Sequence, residues 1–112
     1  MSAPDIGTLR AIIAVRDRAH SVMISIAAEI IAAEFGPGDG MWRTWEANGA
    51  TVDVHFAGDQ WQAAAYSGDG AGVYPKADTP RSAVDQALAA LRLTHPAEAD
   101  ALAAVVPAVP RV

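Results

Sequence analysis

Cysteine is absent from this chain. That excludes disulfides, thiolate zinc sites, iron–sulfur clusters and cysteine nucleophiles, and it fits a reducing cytoplasm. Lysine is almost absent, Lys76 being the sole one, and the formal net charge is −5. A phosphate backbone would therefore need a local basic patch, and none stands out. Long uninterrupted apolar runs are missing too. Arg16, Asp17, Arg18 and Glu29 break the stretch Ala11–Phe35, so no membrane span is expected. Met1–Asp5 lacks the basic region of a signal peptide, and a cytoplasmic location is the expectation. Catalytic and metal-binding motifs are also missing, so neither an enzyme nor a cofactor is expected; the alternative is an unrecognised small-molecule site or enzyme, which a deep polar pocket holding His55 would support.

What is present is an ordered pattern: 52% of the residues are hydrophobic, enough for a single folded domain spanning 1–112. Three strand-like runs stand out: Met41–Ala47, Thr51–Ala57 and Gln60–Ser67. Asn48-Gly49 and Gly58-Asp59 separate them, and both dipeptides tolerate the positive φ of tight hairpin turns. Two-residue turns set Trp45 opposite Val52, Arg43 opposite Val54 and Met41 opposite Phe56. They also set Phe56 opposite Trp61, Val54 opposite Ala63 and Val52 opposite Ala65. Both turns thus assign the same residues of the middle strand to one apolar face. Arg43 is the misfit on that face, expected to snorkel or to pair with Glu29 or Glu34. Val73-Tyr74 is placed to add a short fourth strand.

Helical patterns flank this meander. Apolar residues recur at Ile6, Leu9, Ile12, Ile13, Val22, Met23, Ile26, Ile30 and Ile31. Ser2, Pro4 and Asp5 suit the helix start, and Gly36–Gly40 stops it, with a kink near Ala19–Ser21 left open. In the second half the polar residues narrow to Ser21, Ser25 and Glu29, which predicts burial around most of the circumference, by the sheet or by a second subunit. A homodimer is therefore expected. Thr79 with Pro80 predicts a further helix with the stripe Val84, Ala87, Leu88 and Leu91. Thr94-His95-Pro96 starts a last one, with Ala99, Leu102, Ala103 and Val106, and Pro107–Val112 reads as a loose tail. The fold class is α+β: a long N-terminal helix, a three- to four-stranded antiparallel meander and two C-terminal helices. The long helix is expected on the inner sheet face, with the Thr79–Leu93 helix beside it.

The opposite sheet face gathers the candidate contact residues. Trp42 lies opposite His55, Thr44 opposite Asp53 and Glu46 opposite Thr51, with Gln62, Ala64 and Tyr66 extending the face. Exposed Trp and Tyr are favoured anchors in protein interfaces, and acids steer a basic partner. Trp42, Tyr66, Glu46, Asp53, His55 and Gln62 are the predicted protein-binding set. His55 has no nucleophile or metal-ligating partner in the pattern, so no catalytic role is assigned. His20 and His95 sit at expected element ends, where capping or exposure is the ordinary role. Gly68–Gly72 lacks the lysine of a phosphate loop, and Gly36–Gly40 has too few acids for a calcium loop.

The order helix, three strands, helix over Thr8–Leu93 resembles the double-stranded-RNA-binding domain, as do the loop Gly68–Gly72 and the alanine-rich Ala83–Leu91. That resemblance implies phosphate contacts at the start of the last helix. Here the stretch offers Lys76 and Arg81 with Asp78 between them in place of a lysine cluster, so nucleic acid is not the expected partner. In size, acidity and lack of motifs the chain also resembles small accessory proteins of phages and mobile elements, including anti-CRISPR inhibitors. That resemblance implies occlusion of a partner protein, with Glu46, Asp53, Asp59 and Asp69 as candidate acids.

Overall fold

Asn48 (φ +54°) and Gly49 (φ +78°) form the first hairpin turn of the sheet, both in the left-handed region that a two-residue hairpin turn demands. The second turn is led by Gly58 (φ +94°) and closed by the Ala57 N–H donating to the Gln60 carbonyl at 2.7 Å. A computed structural model describes residues 6–38 and 40–107. The expected capping residues Ser2, Pro4 and Asp5, and the tail beyond Pro107, lie outside that range. The element order is α1 (Ile6–Phe35), β1 (Trp42–Ala47), β2 (Ala50–Phe56), β3 (Trp61–Tyr66), β4 (Gly72–Val73), β5 (Lys76–Ala77), α2 (Pro80–Arg92) and α3 (Pro96–Val105). This is the expected α+β fold.

The meander runs β1-β2-β3 with β4 and β5 both paired to β3. Every expected pairing from Trp42↔His55 to Phe56↔Trp61 is present. Met41 falls just outside β1, so its pairing with Phe56 is not part of the ladder, although Met41 packs against the core. β4 and β5 share one register against β3, from Tyr66↔Gly72 to Trp61↔Ala77, and act as one interrupted edge strand. Pro75 sits in the interruption. It has no N–H to give a ladder, but its carbonyl still accepts from Ala63 at 3.0 Å.

The inner face of the sheet is covered differently from expectation. α2 packs most closely on β3 and β2, and α3 covers β1 and β2. The alanines explain the choice. Ala63 and Ala65 on β3, and Ala83 and Ala87 on α2, are all fully buried, so the two backbones approach closely. Val52, Val54, Val84, Leu91 and Leu102 fill the remaining space, each contributing about 1.5–3 kcal/mol of burial. α2 is held at its start by Thr79, whose hydroxyl accepts the Ser82 N–H at 3.1 Å. In α3, Ala99 and Leu102 are buried as expected, as is Val106 at its C-cap, whereas Ala103 is exposed.

α1 is assigned as one helix of 30 residues, about 45 Å, running through Ala19–Ser21 without interruption. Among its described side chains, those at the C-terminal end join the body. Ala27, Ile31 and Phe35, at successive i+4 steps, form its buried strip. Within one chain the sheet and the C-terminal helices do not wrap most of Val22–Phe35 as expected: Val22 is 53% exposed, Ile26 52% and Ile30 41%. The reason is that α2 and α3 already occupy the sheet face, so α1 meets chiefly α2 and β1. Arg10, Ala11 and every residue from Val15 to Val22 are exposed. The protruding helix makes the molecule 65 Å long, and its 18.4 Å radius of gyration exceeds the roughly 13 Å of a compact chain this size.

The C-terminal end of α1 is clamped. Gly36 (φ +88°) ends the helix by donating its N–H to the Ala32 carbonyl at 2.8 Å. Arg43 donates to the carbonyls of Gly36 at 3.1 Å, Gly40 at 3.1 Å and Trp42 at 2.8 Å. Its expected partner Glu34 serves α2: Glu34 Oε2 accepts the Arg81 backbone N–H at 2.5 Å. The Arg81 guanidinium lies 4.5 Å above the Phe35 ring, and Phe35 packs on Trp45 with ring centroids 4.9 Å apart.

Candidate functional site

The outer face of the sheet is built by simple alternation. Odd and even positions of a strand point to opposite faces, so burying Val52, Val54, Ala63 and Ala65 turns Thr51, Asp53, His55, Gln62 and Ala64 outward. β1 adds Trp42, Thr44 and Glu46. The ladder orders these into rows: Trp42, His55, Gln62; then Thr44, Asp53, Ala64; then Glu46, Thr51, Tyr66. All six predicted contact residues thus lie on one face.

Exposure decides whether that face is available. Trp42 is 60% exposed and Tyr66 37%, while Glu46 and His55 are exposed and Asp53 and Gln62 half-buried. The helices lie against the other side, which holds the buried core. A shallow hollow of about 470 Å³, lined by Met41, Trp42, Asp53 and His55, opens at the β1–β2 corner. Burial raises the Asp53 carboxyl above its ordinary value of 3.8, and the neighbouring His55 partly offsets this.

The register adds two residues that the sequence reading did not include. Lys76 pairs with Gln62 and extends the first row. Tyr74 takes the position opposite Ala64 between the two short strands and is 64% exposed. Gly72 leaves it room: a Cβ there would lie 2.9 Å from the Tyr74 hydroxyl. The signal was the alternation Gly72, Tyr74, Lys76 continuing the outward positions of the meander. Pro75 masks it by interrupting the strand pattern.

The other singled-out residues go elsewhere. His20 lies in the middle of α1 and is exposed, not at an element end. His95 occupies the N-cap position of α3 without a side-chain cap bond. Its Nε2 meets Asp69 Oδ2 at 2.8 Å and its Nδ1 meets Thr94 Oγ1 at 2.8 Å. Asp69 also accepts the Ser67 hydroxyl, and the Ala71 N–H at 2.9 Å. The Ser67 hydroxyl, the Ala71 amide and His95 together hold its carboxyl well below the usual carboxylate range. Asp69 therefore orders its own loop and straps it to the α2–α3 corner, away from the outer face. Asp59 sits exposed in the β2–β3 turn.

Arg81, one of the two cations implied by the RNA-binding resemblance, is engaged by Phe35, by the Pro107 carbonyl and, at 4.0 Å, by Asp85. Lys76 lies on the sheet instead of at the helix start. Among the described residues no cluster of three or more His, Cys, Asp or Glu is arranged to hold a metal ion. No described helix is long and apolar enough to cross a membrane. Comparison with protein-family models, curated proteins and solved structures finds no match to this chain.

Proposed function

We propose that the chain is a non-enzymatic protein-binding module that docks through the outer face of its sheet. The observation that carries this reading is the bare face itself: helices cover one side of the sheet, while Trp42, Tyr66 and Tyr74 stand exposed on the other. Rigid aromatic side chains on a paired sheet lose little conformational entropy on binding and supply large contact area. Glu46 and Asp53 offer a basic residue of the partner a place between Trp42 and Tyr66. The hollow beside Trp42, Asp53 and His55 fits one protruding side chain. Such a module acts by occluding what the partner would otherwise bind. That is the mode of the small phage and mobile-element inhibitors that the sequence resembles in type.

The test is a binding titration with the protein captured by this chain from its native host. Trp42→Ala with Tyr66→Ala should weaken binding by about 30-fold or more, since loss of one anchor commonly costs about 2 kcal/mol. Glu46→Gln should chiefly slow association and flatten its salt dependence. A folded double variant that binds as the wild type does would overturn the proposal. So would tight binding of a single-stranded oligonucleotide with steep salt dependence, because sheet aromatics beside Lys76 also suit base stacking.

A further inference from the structure

From the protruding helix we infer that α1 is a self-association element that pairs antiparallel with α1 of a second copy. The exposed apolar residues Ala11, Val15, Ala19, Val22, Ile26 and Ile30 follow spacings of four, four, three, four and four. At 3.6 residues per turn they fall within about 100° of arc, one continuous stripe. The pattern is a palindrome. Turned end for end, Ala11 meets Ile30, Val15 meets Ile26, and Ala19 meets Val22. The two-fold axis then passes between His20 and Ser21, at the midpoint of the 30-residue helix, so the two helices overlap along their whole length. Self-complementarity of this kind is what a two-fold interface requires.

Charge selects the same orientation. From residue 6 to 20 the helix carries Arg10, Arg16 and Arg18 against Asp17, a net of +2. From residue 21 to 35 it carries Glu29 and Glu34, a net of −2. An antiparallel pair sets each basic half against an acidic half, whereas a parallel pair sets like on like. Glu29 lies at the edge of the stripe, where the second copy brings its arginine-bearing half.

The body of the protein supplies the rest of the seat. Beside the stripe an apolar groove of about 330 Å³ runs between α1 and the sheet, lined by Ala19, Val22, Met23, Ile26, Phe56 and Trp61, among others. Its α1 wall extends from Ala19 to Ile30, the segment that the N-terminal half of the second copy would face. Each overhanging half thus fills the groove of the other chain, and the two bodies sit at opposite ends of the helix pair. This surface is separate from the outer sheet face, so the dimer and the proposed partner site occupy different sides of the molecule.

The experiment uses the full chain, whose lack of cysteine makes engineered thiols specific. Sedimentation equilibrium should report a dimer, and Val22→Glu with Ile26→Glu should raise its dissociation constant by about 100-fold or more, by burying unpaired carboxylates in the seam. Separately, Val15→Cys and Ile26→Cys proteins mixed and oxidised should form a mixed disulfide dimer, while neither protein alone should cross-link. A monomer at high concentration would overturn the inference. So would Val15→Cys cross-linking with itself, which marks a parallel pair, or a dimer whose affinity the two glutamates leave unchanged. The cysteine pairing decides the question even if the glutamate variant fails to fold.

Discussion

Glu34 caps a helix that is not its own: its carboxylate, one residue from the end of α1, accepts the backbone N–H of Arg81 in the first turn of α2. The first amides of a helix lack internal partners and carry partial positive charge, so an anionic acceptor there is favourable twice over. Arg81 returns the contact by laying its guanidinium over Phe35. This reciprocal pair ties the end of α1 to the start of α2. Glu34→Ala should lower stability by about 1–3 kcal/mol in urea denaturation, and Glu34→Gln, which keeps an acceptor, by less. Equal midpoints for both variants and the wild type would show that the cap contributes nothing.

The two rings of the Phe56–Trp61 pair differ in burial. Trp61 is 2% exposed, while Phe56, in edge contact with it at 5.3 Å, is only half-buried. Trp61→Ala should therefore cost about 3–5 kcal/mol and Phe56→Ala clearly less. Chemical denaturation of the two variants gives the ranking, and a reversed order would contradict the burial.

The turn that joins β2 to β3 depends on Gly58, whose φ of +94° is hostile to a Cβ although the space around it is open. Gly58→Ala should cost about 1–2 kcal/mol through backbone strain alone. A melting curve unchanged by this substitution would reject the turn geometry.

Two carboxylates should titrate on opposite sides of the ordinary aspartate value of 3.8. Asp69 lies below it, held by the Ser67 hydroxyl, the Ala71 amide and His95, so its contribution to stability is present above that pH and fades as pH falls through the lowered value. Asp53 lies above it because of burial, so the folded state holds its proton more tightly. Its contribution favours the fold at low pH and is lost as pH rises through the raised value. Carboxyl-carbon NMR titration reads both midpoints directly. Coincident midpoints would contradict the hydrogen bonding of one and the burial of the other.

The sheet was legible because its evidence is local. Asn48-Gly49 and Gly58-Asp59 each fix a register, and the two registers had to agree on Val52, Val54 and Phe56. The outer-face residues followed from the same alternation. Tyr74 escaped because Pro75 interrupts its strand, and only the ladder to β3 restores the register. The helix coverings were less legible. An apolar residue on a helix states that something should cover it, but not what. The alanine seam Ala63, Ala65, Ala83 and Ala87 favoured α2 on the sheet, and that choice left Val22, Ile26 and Ile30 exposed on α1. The bond between Asp69 and His95 joins residues 26 apart in sequence with no motif between them, so nothing local announced it.

The central claim is that the outer sheet face is where a partner docks. Covalent footprinting of the chain, alone and saturated with its captured partner protein, tests this side by side with every other surface. The account predicts that Trp42, Tyr66 and Tyr74 lose most of their labelling in the complex, while Val22 and Ile26 label as they do in the free protein. Protection of Val22 and Ile26 with unchanged labelling of the three sheet aromatics would contradict it and move the partner site to α1.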